Sequence, residues 1–206
     1  QTCALPISKG KLTAEQRDAT LANLKGTTSF ADLKDCDIVI EAITENLEDK
    51  RALYAEVEKV VGAHTILASN TSSLCITELA AATKRPDRFI GMHFFNPVPV
   101  MKLVEIIPGL ATSAATVSAV RTFAEGLGKE VVVSQDEPGF IVNRILVPML
   151  NEACFVLGNG TASIADIDDW PKRIAAVTPA DVLAAARLVW REDAQVTSML
   201  LPEGGR

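Results

Sequence analysis

The sequence predicts an α/β protein built on a doubly wound, mostly parallel sheet and followed by an α-helical segment. Three observations carry this. Short β-branched apolar runs alternate with amphipathic stretches of helical period from Thr13 to Ser134, the pattern of a sheet with helices on both faces. Most of the helical stretches stop at a glycine. At Pro138 the alternation ends, and PGFIVNRILVPMLNEACFVLG is apolar nearly all the way round a helix.

The elements follow in order. LTAEQRDATLANLKG opens with Thr13 and, three residues on, Gln16, a capping-box signal, and stops at Gly26. DIVIEAI (37–43) reads as a buried strand, and EDKRALYAEVEKVVG as an amphipathic helix stopped by Gly62. HTILASN (64–70) is a second strand, followed by a helix over 75–83. RFIGMHFF (88–95) and KLVEIIP (102–108) are two more strands, turned by PVPV. A helix over 113–128 and the strand KEVVVS complete the alternation. The helix from Pro138 is expected to be buried on more than one side, in a helical domain or a subunit interface, with Pro148 kinking it. The domain boundary falls near Asp136.

Composition narrows the partners. The chain has 206 residues, 48% hydrophobic and 22% charged, with a net charge of -6. That balance argues against nucleic acid, whose phosphates require a basic surface. No apolar run is long enough to span a bilayer, and QTCALPISKGK lacks the basic and apolar regions of a secretory signal. Cys3, Cys36, Cys75 and Cys154 form no C-x-x-C, and the only histidines are His64 and His93. This suits free thiols in a cytoplasmic protein without a metal site.

Ligands of open α/β sheets bind outside the carboxyl ends of the strands. The polar residues there are Glu45, Asn46 and Lys50 after the first run, Asn70 to Ser73 after the second, and His93 and Asn96 near the end of the third. Glu105 lies on the next strand and Asn143 at the start of the apolar helix. A histidine can accept the proton lost when a secondary alcohol is oxidised, and a carboxylate on its other ring nitrogen fixes the tautomer. Glu105 within LVEII needs a buried partner, which favours a His93–Glu105 pair. The alternative makes His93 a satisfied core histidine and places Glu105 on a solvated face. Taken alone, Ser72 and Ser73 read as caps of the following helix, and Asn143 needs a hydrogen-bond partner, which a structural contact would also supply. Lys50, on a polar helix start, reads as solvated.

DIVIEAITEN, TILASNTSSL, RFIGMHFFNPVPVMKLVEII and DEPGFIVNRILVPMLNEA, in this order and spacing, resemble the 3-hydroxyacyl-CoA dehydrogenase family from about Lys9 to Asp169. The resemblance implies an incomplete Rossmann-type NAD-binding domain over 9–136 and the start of a helical dimerisation domain over 137–169. It implies reversible, NAD-dependent oxidation of an L-3-hydroxyacyl-CoA, 3-hydroxybutyryl-CoA in the first instance, in fatty acid metabolism, by a homodimer in the intact family. His93 matches the catalytic base and Glu105 its orienting partner. Ser72 and Asn143 match residues that bind the substrate oxygen and order the site. Glu45, Lys50 and Asn70 match positions facing the nicotinamide ribose and ring, with Ser72 and Asn96 beside them. A catalytically incompetent fragment, acting at most as a helical interaction module around 138–158, is the alternative.

Both ends depart from the family pattern. The G-x-G-x-x-G loop that would hold a pyrophosphate is not in these residues. The resemblance therefore implies an open edge on strand 37–43 and weak turnover or none, because remote binding energy helps place the reacting centre. QTCALPI matches a translated sequencing-adapter end, so residues 1–8 are expected to be an artefactual or disordered tail. Residues 170–206 are expected to be unrelated: a helix capped by Thr178 with Pro179 at its first position, then the strand AQVTSMLL. This tail resembles the end of pitrilysin-like zinc peptidases, as in a chimera joined near Asp169.

Overall fold

The computed structural model describes residues 13–189. The chain divides into two compact units, Gln1–Ile145 and Leu146–Arg206. The expected residues 1–8 tail and the strand AQVTSMLL lie outside the described residues.

The first unit opens with α1 (Ala14–Ala22), started by the expected capping box between Thr13 and Gln16. The sheet then takes β1 (Ile38–Glu41), β2 (Ile66–Ser69), β3 (Phe89–Phe94), β4 (Leu103–Pro108) and β5 (Glu130–Val133), side by side in chain order. β1–β2, β2–β3 and β4–β5 are parallel, whereas β3–β4 is antiparallel. Between the strands run α2 (Leu47–Val57), α3 (Ile76–Ala81) and α4 (Ala114–Gly126). All five expected strands are present, each trimmed at one or both ends.

Alternation along β3 and β4 sorts side chains to two faces. Phe89 and Ile107 pack with Tyr54 and Val57 of α2 and Ile76 and Leu79 of α3. Ile90, Met92, Val104 and Ile106 pack with Val120 and Ala124 of α4. Each of these large side chains contributes about 1.5–3 kcal/mol by leaving water. Gly91 allows close approach: a Cβ there would meet the Ile107 Cβ and the Ile76 Cδ1 at 2.9 Å each. Among the described residues β1 pairs on one side only, with β2, which leaves the open edge expected for strand 37–43.

The first compact unit runs to Ile145, and residues beyond Asp136 fold back onto the sheet. Phe140 is buried within the same core cluster as Tyr54 and Phe89. Ile141 and Val142 donate backbone N–H groups to Glu105.

Helix α5 (Val142–Gly158) carries Pro148 inside it. The sequence led us to expect burial on more than one side, but no residue of α5 is buried. Ile145 is 65% and Phe155 56% exposed. Its all-round apolar character is therefore not used within the described part of the chain. In the second unit, α6 (Ile164–Ala175) starts at a capping box between Ser163 and Asp166. α7 (Pro179–Val189) starts where the Thr178 hydroxyl accepts from the Asp181 N–H at 3.3 Å, with the Thr178 N–H donating back to Asp181 at 2.8 Å.

Candidate active site

The antiparallel register places His93 directly opposite Glu105. Parity puts both on the sheet face that carries Phe89 and Ile107. The His93 Nδ1 lies 2.7 Å from Glu105 Oε2, and the two side chains are 5% and 0% exposed. The other carboxylate oxygen, Oε1, accepts the N–H groups of Ile141 and Val142 at 3.0 Å each. A carboxylate taking two N–H groups at one oxygen is an acceptor at the other, so Nδ1 carries the proton and donates. Nε2 is then the bare nitrogen of the neutral ring. It has no hydrogen-bond partner among the described residues.

The backbone around Phe140 makes this possible. Gly139 at φ 79° and Phe140 at φ 49° are both left-handed, a conformation that costs a bulky residue energy and that its surroundings must enforce. Phe140 is 2% exposed, and its ring meets the His93 imidazole at 5.6 Å between centroids. Phe95 holds the ring at 4.6 Å. The turn thus aims two amides at Glu105 and packs a ring against its partner.

A second cluster lies at the carboxyl ends of β1 and β2. Glu45 Oε1 accepts from the Thr71 hydroxyl, from the Ser72 N–H at 2.8 Å and from the Ser73 N–H at 3.1 Å. Burial alone would raise the Glu45 carboxyl, but the Thr71 and Ser72 hydrogen bonds and the Lys50 charge together hold it below its ordinary value. The expected solvated Lys50 is corrected here. Its side chain is 1% exposed, with Nζ 2.6 Å from Glu41 Oε1 and 3.4 Å from Glu45 Oε2. Lys50 shares the inward face of α2 with Tyr54 and Val57.

Asn70 Oδ1 accepts the Phe94 N–H at 2.8 Å, which ties the end of β2 to the residue after His93. Its amide nitrogen, the Ser72 hydroxyl and the half-buried Asn143 amide take no hydrogen bond among the described residues. Those are the free polar groups a ligand would use. Asn96 is exposed, and no hydrogen bond among the described residues ties its side chain to the others.

Capping of α3 by Ser72 or Ser73 is also corrected. The N-cap position is Cys75, without a side-chain cap. Asp136 supplies the cap from the far end of β5, accepting from Ile76 N–H at 2.8 Å, Thr77 N–H at 2.7 Å and the Thr77 hydroxyl at 2.6 Å. Sequence reasoning missed Asp136 as a ligand of α3 and Glu41 as the buried partner of Lys50. Spacing along the chain carries no signal for the first. The second was signalled only by an acidic residue ending an apolar run.

Comparison with known proteins gives the site a context. The family described as "3-hydroxyacyl-CoA dehydrogenase, NAD binding domain" matches residues 2–137, and "3-hydroxyacyl-CoA dehydrogenase, C-terminal domain" matches residues 139–183. The 3-hydroxybutyryl-CoA dehydrogenase of Bradyrhizobium diazoefficiens is 49% identical over 80% of this chain and 56% of its own. The mitochondrial hydroxyacyl-coenzyme A dehydrogenase of Homo sapiens is 51% identical over 73% of this chain and 48% of its own. The crystal structure of (S)-3-hydroxybutyryl-CoA dehydrogenase from Ralstonia eutropha superposes with a TM-score of 0.76 at 53% identity, covering 80% of this chain and 58% of that one. The chain thus spans about half the length of these relatives. The first family match begins inside the segment 1–8 read as a tail. The second runs through Asp169 to residue 183. That removes the support for a join at Asp169, and the peptidase likeness of the tail is withdrawn.

Proposed function

The chain belongs to the 3-hydroxyacyl-CoA dehydrogenase family, and from that premise we propose that it catalyses the reversible oxidation of an L-3-hydroxyacyl-CoA, with 3-hydroxybutyryl-CoA as substrate and NAD as cofactor. The observation that carries this reading is the buried His93–Glu105 pair, closed at its far side by the Ile141 and Val142 amides. In the oxidative direction His93 Nε2 accepts the proton of the substrate hydroxyl. Glu105, already anchored, holds the ring and stabilises the imidazolium that forms. In the reverse direction Nε2–H returns the proton. The Ser72 hydroxyl and the Asn143 amide, both free of partners within the described residues, donate to the substrate oxygen and stabilise its developing charge.

The polar groups at the carboxyl ends of β1, β2 and β3 fit the nicotinamide end of NAD. Glu45, Lys50, Asn70 and Asn96, with Ser72 beside them, would hold its ribose and ring. NAD, when bound, accepts the hydride. The reading as a mere helical interaction module is not favoured, because it leaves the His93–Glu105 geometry without a use. The exposed apolar residues of α5 support self-association as a homodimer. No described helix is long and apolar enough to cross a membrane. The free thiols of Cys36, Cys75 and Cys154 suit a reducing cytoplasm.

Titration of the full chain with acetoacetyl-CoA in the presence of NADH tests the reading. Saturable binding, weakened by Asn143→Ala, is expected. A wild-type chain that binds neither ligand overturns it.

A further inference from the structure

Asp136 stands just past the end of β5, yet both of its carboxylate oxygens are spent on other elements. Oδ1 accepts the Ile76 N–H at 2.8 Å. Oδ2 accepts the Thr77 N–H at 2.7 Å and the Thr77 hydroxyl at 2.6 Å, with the Cys75 thiol at 3.2 Å. The Thr77 oxygen in turn accepts the Leu110 N–H at 2.9 Å, just past the end of β4. One carboxylate thus ties together the start of α3 and the exits of β4 and β5. Only residues 137–140 separate it from Ile141. The Ile141 amide, with that of Val142, holds Glu105 Oε1 at 3.0 Å.

The stretch between them is strained. Gly139 and Phe140 take left-handed φ values of 79° and 49° in succession, and the bulky residue keeps such a value only where its surroundings enforce it. The Phe140 N–H closes the turn on the Glu137 carbonyl at 2.9 Å. The downstream end is held by the buried Phe140 ring and by Glu105. The upstream end is held by Asp136, since Glu137 and Pro138 are exposed and the Glu137 side chain reaches only the exposed Arg144, at 3.7 Å. A short helix can be capped by a side chain at its own N-cap position. A cap taken from another element does something more: it fixes the two elements against each other. We propose that Asp136 is a positioning residue for the acid–base pair: by fastening the entry of the 137–140 turn to α3, it keeps the Ile141 and Val142 amides on Glu105 and so keeps that carboxylate set against His93. This rests on the reading that His93 exchanges the substrate proton. Asp136 touches none of the reacting atoms and acts through the turn.

Two variants of the 206-residue chain test it. Asp136→Ala removes the tie. Asp136→Ala combined with Cys75→Ser puts a hydroxyl at the N-cap position of α3, which gives the helix a cap of its own without the tie to β5. Amide hydrogen exchange, followed by NMR, is read at three places. The Leu79 N–H, which closes the first turn of α3 onto the Cys75 carbonyl, loses protection in the single variant and regains it in the double. The Ile141 and Val142 amides exchange about tenfold faster or more in both, the scale of one weakened charge-assisted hydrogen bond. The Phe94 amide, held by Asn70, stays unchanged in both. Single-turnover NADH oxidation with acetoacetyl-CoA slows by about tenfold in both variants, by the same reckoning. A merely structural cap would instead let Ile141 and Val142 recover together with Leu79 in the double variant. That recovery overturns the proposal, as does wild-type protection of the two amides in folded Asp136→Ala, or a wild-type rate beside faster exchange. If exchange responds as expected but the wild type itself oxidises no NADH, the tie to Glu105 stands and the proposed reaction falls.

Discussion

At the scale of the residue, the proposed function depends on one nitrogen. Glu105 is spent on both oxygens, by His93 on one and two amides on the other, and this leaves Nε2 bare. The ¹⁵N shifts of the His93 ring should therefore show Nδ1 protonated and Nε2 unprotonated in the neutral form. Glu105→Gln keeps an oxygen for the amides but presents an NH₂ to Nδ1, which reverses the tautomer. Turnover should fall by about 10²-fold or more, with little change in acetoacetyl-CoA affinity. The pair itself was legible in the sequence, because a carboxylate inside LVEII needs a partner and the next histidine is one strand away. Lys50 was not legible. Its neighbours Glu48, Asp49 and Arg51 are polar, and only its spacing to Tyr54 and Val57 marks the inward face.

At the scale of the element, the turn before α5 and the cap of α3 are the points where single changes should tell. Gly139→Ala adds a Cβ at φ 79° that would stand 3.1 Å from the Arg144 nitrogen. A loss of about 1–3 kcal/mol is expected in denaturant unfolding. Asp136→Ala removes the remote cap of α3, at a cost of about 0.5–2 kcal/mol. Burial works against the Asp136 charge, but hydrogen bonds from Thr77, the Ile76 amide and Cys75 outweigh it and leave its carboxyl below the ordinary value. The sign follows: the contribution is present above the unfolded value and is lost as pH falls through the lowered folded one. Asp136→Asn should therefore flatten the acid limb of the stability profile. Strand positions were readable because short, continuous β-branched apolar runs are local signals. The Asp136 cap was not, since it joins residues about sixty positions apart through the fold.

At the scale of the molecule, the sequence showed α5 as apolar on all sides and led to an expectation of burial, whereas no residue of α5 is buried in the chain. Periodicity reports what a helix can bury, not whether its partner lies in the same chain. Leu150→Glu combined with Phe155→Glu, at side chains 54% and 56% exposed, should abolish self-association in sedimentation velocity while the chain stays folded. The antiparallel β3–β4 pairing, too, is a property of the whole sheet; it sets His93 against Glu105, and only the short PVPV turn announced it. The His93–Glu105 pair and the two amides that close it lie within one unit, while the chain spans about half the length of its relatives. Its competence is therefore a question for the chain as a whole. The direct measurement is single-turnover oxidation of NADH by an excess of the 206-residue chain with acetoacetyl-CoA, in the wild type and in His93→Gln. The account predicts a slow rate that falls by about 10²-fold or more in the variant; equal rates in the two would contradict it.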